Sequence, residues 1–95
     1  MRIVFDARAS ADLDHIFAWV AKDNRSAADH LVDRIKARVS RLATPGLAQM
    51  GRRGLVEGTR ELVEGSYIVV YTVEENAQQV LVLAVFHTAQ DRQLA

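Results

Sequence analysis

The sequence predicts an α+β fold in the order β-α-α-β-β-β, with a helical hairpin packed on one face of a small antiparallel sheet of four strands. Two consecutive segments carry apolar residues at helical spacing, and three β-branched and aromatic runs separated by tight turns follow them. A similar run opens the chain and needs the same sheet to be buried. The 95 residues suit a single domain over 1–95, with a polar, irregular tail over residues 88–95.

Each helix is predicted from one apolar stripe. In the first helix, over residues 8–22, the stripe consists of Leu13, Ile16, Phe17 and Val20. In the second, over residues 25–43, it consists of Leu31, Ile35, Val39 and Leu42. Asp6 is suited to cap the first helix, and Asn24 or Ser26 to cap the second. Trp19 lies off the first stripe, so we expect its ring to point away from the core.

The strands are predicted at residues 2–5, 60–63, 67–73 and 80–87. The last of these runs is nearly continuously apolar, which is typical of a central strand buried largely on both faces. Between the second helix and the second strand, residues 47–58 carry three glycines together with Arg52 and Arg53. This composition predicts an irregular loop.

Composition and motifs exclude several classes of protein. Without cysteine the chain has no disulfide framework and no cysteine-based zinc site. The three histidines lack metal-ligand spacing, and no nucleotide-binding, phosphate-loop or hydrolase motif is present, so we expect neither a metal nor a cofactor. No apolar run is long enough for a membrane span or a signal peptide, which favours a cytoplasmic protein without membrane contact.

The charges are unevenly distributed along a chain whose formal net charge is zero. Residues 1–33 carry four basic and six acidic residues, and residues 61–95 carry one basic and five acidic residues. The middle segment, residues 34–60, carries seven basic residues and one acid, a net charge of +6. A neutral total argues against broad coating of nucleic acid, whereas the basic middle permits a local anionic contact or simply a solvated basic surface.

Several segments together are similar to the toxins of the RelE/ParE superfamily, in particular to ParE-type members. These segments are Ala9-x-x-Asp12-Leu13-x-x-Ile16-x-x-x-Val20-Ala21-x-Asp23-Asn24, Ala27-Ala28, Leu31-Val32-x-x-Ile35, Thr59-Arg60-Glu61-Leu62-Val63, Tyr67-Ile68-Val69-Val70-Tyr71 and Val85-Phe86-His87-Thr88-Ala89-Gln90-Asp91. They follow one another in the family's order over nearly the whole chain. The resemblance implies the fold derived above.

The resemblance also implies a function and its partners. The chain would be the toxin of a type II toxin-antitoxin module, held in a hetero-oligomer by a cognate antitoxin and contacting DNA only indirectly through it. ParE-like members inhibit DNA gyrase by binding, whereas RelE-like members are ribosome-dependent endoribonucleases that cleave mRNA. A third possibility is a degenerate member that serves only as a non-toxic interaction protein.

The sequence favours the gyrase inhibitor over the enzyme. Val63 and Glu64 stand where RelE-like members tend to carry an arginine, and no basic residue follows His87 until Arg92. Ribosome-binding members are also strongly basic, whereas this chain is neutral. No catalytic signature is therefore assigned.

Candidate site residues fall into three groups. If the chain is a ribonuclease, the catalytic candidates are His87, Arg60 and Arg92. The candidates for target binding are Arg52, Arg53, Arg60 and His87. The candidates for antitoxin binding are Trp19, Tyr67 and Tyr71. Each has a plainer alternative: the arginines could be solvated or, for Arg60, paired with Glu57 or Glu61, and the tyrosines could be packing residues.

Overall fold

The computed structural model describes residues 1–89. Its elements in chain order are β1 (Arg2–Phe5), α1 (Ala7–Ala21), α2 (Arg25–Ser40), a 3-10 helix (Arg41–Ala43), β2 (Arg52–Arg53), β3 (Arg60–Glu64), β4 (Tyr67–Glu74) and β5 (Gln79–His87). The predicted α+β fold, a helical hairpin packed on one small sheet, is confirmed. Of the tail expected over residues 88–95, the part beyond position 89 lies outside the described residues.

The sheet differs from the prediction in two details. It has five strands in the order β1-β5-β4-β3-β2, because part of the predicted loop over residues 47–58 forms β2. Strands β2 to β5 pair antiparallel, but β1 pairs parallel with β5, so the sheet is mixed. Tight turns force β3, β4 and β5 to alternate in direction, whereas two helices separate β1 from the other strands and leave its direction to tertiary packing.

Local signals fix the helix boundaries. The carboxylate of Asp6 accepts a hydrogen bond from the Arg8 backbone N–H at 3.2 Å and caps α1. Asn24, rather than Ser26, caps α2 through its side-chain oxygen, which accepts from the Ala27 N–H at 3.0 Å. The second helix ends at Ser40 and tightens into a 3-10 turn before the Pro45 break.

The core lies between the helical hairpin and the inner face of the sheet. The buried side chains that form it are Ala9, Leu13, Leu31, Ile35, Val39, Leu42, Leu62, Val69, Tyr71, Val80, Val82 and Val85. On β5 buried positions mostly alternate with half-buried ones, so the predicted burial on both faces is wrong in part. The outer face of the sheet also carries apolar side chains, among them the half-buried Leu83, which lines a groove with Leu55, Val56 and Arg8 of α1.

Strand β5 has one irregularity in its pairing and, two residues later, a hydrogen bond to α1. Val70 pairs with Ala84 and Tyr71 with Val82, so Leu83 is an extra residue on β5. Beyond the end of β1, the Val85 N–H donates to the Asp12 carboxylate on α1 at 2.9 Å. Within residues 1–89, no helix is long and apolar enough to cross a membrane.

Candidate functional site

The basic residues Arg52 and Arg53 lie on a short hairpin, not in an irregular loop. Arg52 pairs with Glu61 and Arg53 with Arg60 in antiparallel register. The Gly54 N–H closes the hairpin by donating to the Thr59 carbonyl at 2.9 Å. A two-residue strand of arginines flanked by glycines carries no β-branched signal, which is why the sequence predicts a loop here.

Two side chains hold the base of this hairpin through Gly51. The Gly51 N–H donates to the Tyr71 hydroxyl oxygen at 3.0 Å, and the Gly51 carbonyl accepts from Arg60 Nη1 at 2.7 Å. A Cβ atom at position 51 would lie 2.6 Å from the Tyr71 hydroxyl and 2.7 Å from the Glu61 carbonyl oxygen. Only glycine therefore fits between β3 and Tyr71 without a shift of the backbone.

The hairpin separates its charges onto two faces, since residues directly opposite across a strand pair share a face. Arg52 lies on the outer face and pairs with Glu61, whose carboxylate is almost fully buried and 3.1 Å from Arg52 Nη2. Arg60 therefore does not pair with Glu61, and no ion pair joins it to Glu57 within the described residues. Its guanidinium instead anchors the Gly51 carbonyl.

Arg53 and Arg60 share the inner face and line one open cleft of about 570 Å³. Arg53 is exposed and, within residues 1–89, has no ion pair. One acid, Glu57, also lines the cleft. Two neighbouring guanidinium groups in a shallow cleft suit a carboxylate or a phosphate group, which each can bind through two parallel hydrogen bonds.

A second cluster lies at the end of β5. It consists of the two cavities that share Tyr67 and His87, together called the His87 pocket. The imidazole of His87 packs edge-on against the Tyr67 ring, with centroids 5.1 Å apart, and its Nδ1 accepts from the Ala89 N–H at 3.0 Å. In the neutral ring the proton is therefore on Nε2. His15 and Trp19 line one side of the Tyr67–His87 pair, and other residues, among them His30 and Arg34, line the other side.

The sequence alone did not predict that these histidines lie around the same tyrosine. His15 and Trp19 are four residues apart on α1, and His30 and Arg34 are four apart on α2, so each pair shares a helix face. Helical spacing predicts the pairs. It does not reveal that the two faces meet at the end of β5, because that depends on how the hairpin crosses the sheet.

Comparisons with known proteins place the chain in a family. The model of the ParE toxin of the type II toxin-antitoxin system, parDE, matches residues 3–92. The chain belongs to the ParE toxin family. It is also 36% identical over 91 residues to Y4kP of Sinorhizobium fredii, named as a candidate toxin, and this match covers 94% of this chain and 90% of that protein.

Solved structures show the same fold. The chromosomal ParDE system from P. aeruginosa matches this ParE-family chain with a TM-score of 0.79 at 23% identity, covering 92% of this chain and 95% of that chain. The isolated E. coli RelE toxin matches with a TM-score of 0.58 at 18% identity, covering 98% and 89%. The E. coli RelBE complex gives 0.57 at 20% identity, covering 94% and 98%.

The fold separates the predicted catalytic residues. Arg60 begins β3, whereas His87 aligns through Tyr67 with Glu64 at the other end of β3. Four residues of strand therefore separate Arg60 from His87 by about 13 Å in the direction of the strands. Arg60 is also engaged at Gly51. The third candidate, Arg92, lies outside the described residues.

The predicted antitoxin contacts differ in accessibility. Trp19 has 71% of its surface exposed, as the sequence predicts, and Lys22 Nζ lies 5.1 Å from the centre of its ring. Tyr67 is half-buried in the His87 pocket. Tyr71 is fully buried and holds Gly51, so in this conformation its side chain has a structural position and offers no surface to a partner. Its hydroxyl anchors the basic hairpin from within the core.

Burial of Tyr71 has a consequence at alkaline pH. Burial raises the pKa of its phenol above the ordinary value of 10.0, although the Gly51 N–H and the Arg60 charge act in the opposite direction. A raised pKa in the folded state gives a stability contribution that is complete below pH 10.0 and is lost above it. We expect the unfolding free energy, measured with urea, to fall more steeply above pH 10.0 in the wild type than in Tyr71→Phe. Parallel curves for the two proteins would contradict this.

Proposed function

We propose that this chain inhibits DNA gyrase by binding it, without catalysis, and that a cognate antitoxin neutralises it. Membership of the ParE family supports this choice. The observation that carries it is the placement of Arg53 and Arg60, two neighbouring guanidinium groups on an anchored hairpin, about 13 Å along the sheet from His87. Groups so separated suit a binding surface better than a shared catalytic centre.

The target-binding surface in this proposal is the basic hairpin, defined as residues 51–60. Its backbone is fixed at Gly51 from both sides, so Arg53 is presented from a rigid base. A preformed surface loses little conformational entropy on binding, and its charge accelerates encounter with an acidic partner. Arg52 contributes less as a contact, because its guanidinium already neutralises Glu61.

The antitoxin in this proposal covers apolar surface that the fold leaves exposed. One part is Trp19 with the adjoining Tyr67. Another is an apolar groove on the outer face of the sheet, which the half-buried Leu83 lines beside Leu55 and Val56 of the hairpin loop. Leu55 and Val56 are 67% and 61% exposed, and apolar surface of this kind typically marks a partner interface. Tyr71 takes no part, since it is buried.

A second candidate function rests on the His87 pocket. Cleavage of RNA through its 2′-hydroxyl needs a group that removes a proton, a group that supplies one, and a cation for the developing charge on phosphorus. His87, His30 and Arg34 line the same pocket and are groups of these kinds. In this alternative His87 acts with His30, not with Arg60.

One pair of assays separates these functions. Purified protein is added to a DNA supercoiling reaction with gyrase and, in parallel, to a translation extract in which mRNA cleavage is mapped. We expect inhibition of supercoiling, no cleavage, and reversal of the inhibition by the product of a neighbouring antitoxin gene. His87→Ala is expected to change inhibition by less than about threefold.

The opposite pattern supports the ribonuclease. Cleavage that falls by roughly 10²–10⁴-fold in both His87→Ala and His30→Ala would overturn the gyrase proposal, since this is the range for loss of a general acid or base. Activity in neither assay, for a protein that melts cooperatively, would favour the degenerate interaction protein.

A further inference from the structure

We propose that two copies of this chain associate through the free edges of their β1 strands, which pair antiparallel about a twofold axis with Val4 opposite Val4 of the second copy. The pairing joins two five-stranded sheets into one. It goes beyond the proposed function and does not depend on it. The hydrogen bonding of β1, its sequence pattern and the groove beside it all favour this pairing.

The hydrogen bonds show which groups of β1 point outward. Arg2 N–H donates to the Gln78 carbonyl at 3.0 Å, and Asp6 N–H donates to the Val82 carbonyl at 2.9 Å. In a parallel pair these bonds alternate along the strand, so positions 2, 4 and 6 face β5. Ile3 and Phe5 therefore direct their N–H and C=O groups outward. Within residues 1–89 no strand pairs with this edge.

These outward groups select one register for a second copy. When Ile3 lies opposite Phe5 of the second copy, and Phe5 opposite its Ile3, every outward N–H and C=O group of both residues gains a partner. Val4 then lies on the twofold axis. A shift of two residues places either Phe5 opposite Met1, which precedes β1, or Ile3 opposite Ala7, which begins α1, so each shifted register relies on a residue outside the strand. The register with Val4 at its centre is thus preferred.

The same register is electrostatically self-complementary. It places Arg2 opposite Asp6 of the second copy and Asp6 opposite its Arg2. At each end of the pairing, an arginine of one copy therefore faces an aspartate of the other. Both side chains are exposed in the single chain. Opposite charges directly across an antiparallel pair stabilise it, and like charges destabilise it. The segment Arg-Ile-Val-Phe-Asp is therefore complementary in charge to a second copy of itself that runs in the opposite direction.

The inner side of the edge offers an apolar groove to the partner strand. Ile3 and Phe5 line it together with Leu13 of α1 and Val39 of α2, and its volume is about 390 Å³. In the proposed register, Phe5 of the second copy lies across from Ile3 and packs toward this groove. An interface with the same patch on both copies closes as a dimer, so it does not grow into a filament.

The decisive experiment exchanges the charges between two chains. In Arg2→Asp, positions 2 and 6 are both acidic, and in Asp6→Lys they are both basic, so each variant alone places like charges across the pair. An equimolar mixture restores opposite charges at both ends. We expect sedimentation velocity over a concentration series to show a wild-type dimer. We also expect at least about tenfold weaker self-association of each variant and a heterodimer in the mixture.

Controls separate this from loss of folding. Asp6→Lys also removes the N-cap of α1, and Ile3→Pro, a second test, removes an outward N–H together with a side chain that packs against the core. Thermal melting therefore checks the folding of all three variants. Arg25→Asp, an equal charge change on α2, should not alter the association. A wild type that stays monomeric, or variants that associate as it does, would overturn the proposal. Amide hydrogen exchange would also overturn the proposal if the outward amides of β1 became protected only when antitoxin is added.

Discussion

Gly51→Ala is expected to lower the free energy of unfolding by about 2–4 kcal/mol, because overpacking and a broken buried hydrogen bond act at one position. The new Cβ would lie 2.6 Å from the hydroxyl of the fully buried Tyr71 and 2.7 Å from the Glu61 carbonyl oxygen, so the side chain or the β3 backbone must shift. The shift also pulls the Gly51 N–H away from Tyr71 and the carbonyl away from Arg60. Urea denaturation followed by circular dichroism measures the change.

Gly58→Ala is the matched control for this substitution. Gly58 lies in the same hairpin and has a φ of +85°, but a Cβ there meets nothing within 4 Å. Only the left-handed backbone then opposes alanine, and the expected loss is about 1–2 kcal/mol. Equal losses in the two variants would show that the close approach at Gly51 is not what requires glycine. A larger loss at Gly51 that becomes smaller in the Tyr71→Phe background would trace that part of it to the hydroxyl, since the Glu61 carbonyl oxygen at 2.7 Å and the ring Cε1 at 2.9 Å remain close.

The parts of the fold that follow from local physics were predictable. Apolar stripes at helical spacing located both helices, and Asp6 and Asn24 marked their first turns because only short polar side chains cap in this way. The meander of β3, β4 and β5 followed from β-branched runs with tight turns between them. Each of these features is decided by residues close together in the sequence.

The features that the sequence did not reveal depend on distant contacts. The parallel direction of β1 is set by its packing beside β5, some 77 positions away in the chain. Strand β2 begins directly after Gly51, whose N–H donates to the hydroxyl of Tyr71, 20 residues further on. Tyr71 itself appears in the sequence as one of two aromatic residues on a strand face, and nothing local shows that its hydroxyl is needed inside the core.

The candidate site divides in the same way. The sequence places the arginine pair in the basic middle segment, since charge is a local property, and its role in target binding stays a prediction. It did not show that Arg52 is neutralised by a buried Glu61 while Arg53 is not. That difference arises because successive strand residues point to opposite faces. The structure therefore distinguishes two adjacent arginines that the sequence treats as equivalent.

This distinction makes Arg53 the sharper probe of target binding. Arg52→Glu would leave Glu61 facing a second carboxylate in a nearly fully buried position, so loss of activity could follow from loss of folding. Arg53 has no ion pair within residues 1–89 and lies opposite Arg60, a like charge. Reversing its charge creates an attractive cross-strand pair, which is expected to raise stability by about 0.2–1 kcal/mol.

Arg53→Glu is therefore expected to weaken inhibition of gyrase supercoiling at least about tenfold, corresponding to ~1.4 kcal/mol of binding free energy, while the melting temperature stays level or rises. Arg41→Glu, the same charge change on the 3-10 helix, controls for net charge and should shift inhibition less than about threefold. Added salt should weaken the wild type toward the variant, since exposed charges are screened. Full inhibition by Arg53→Glu, or an equal loss in Arg41→Glu, would remove the basic hairpin as the target-binding surface.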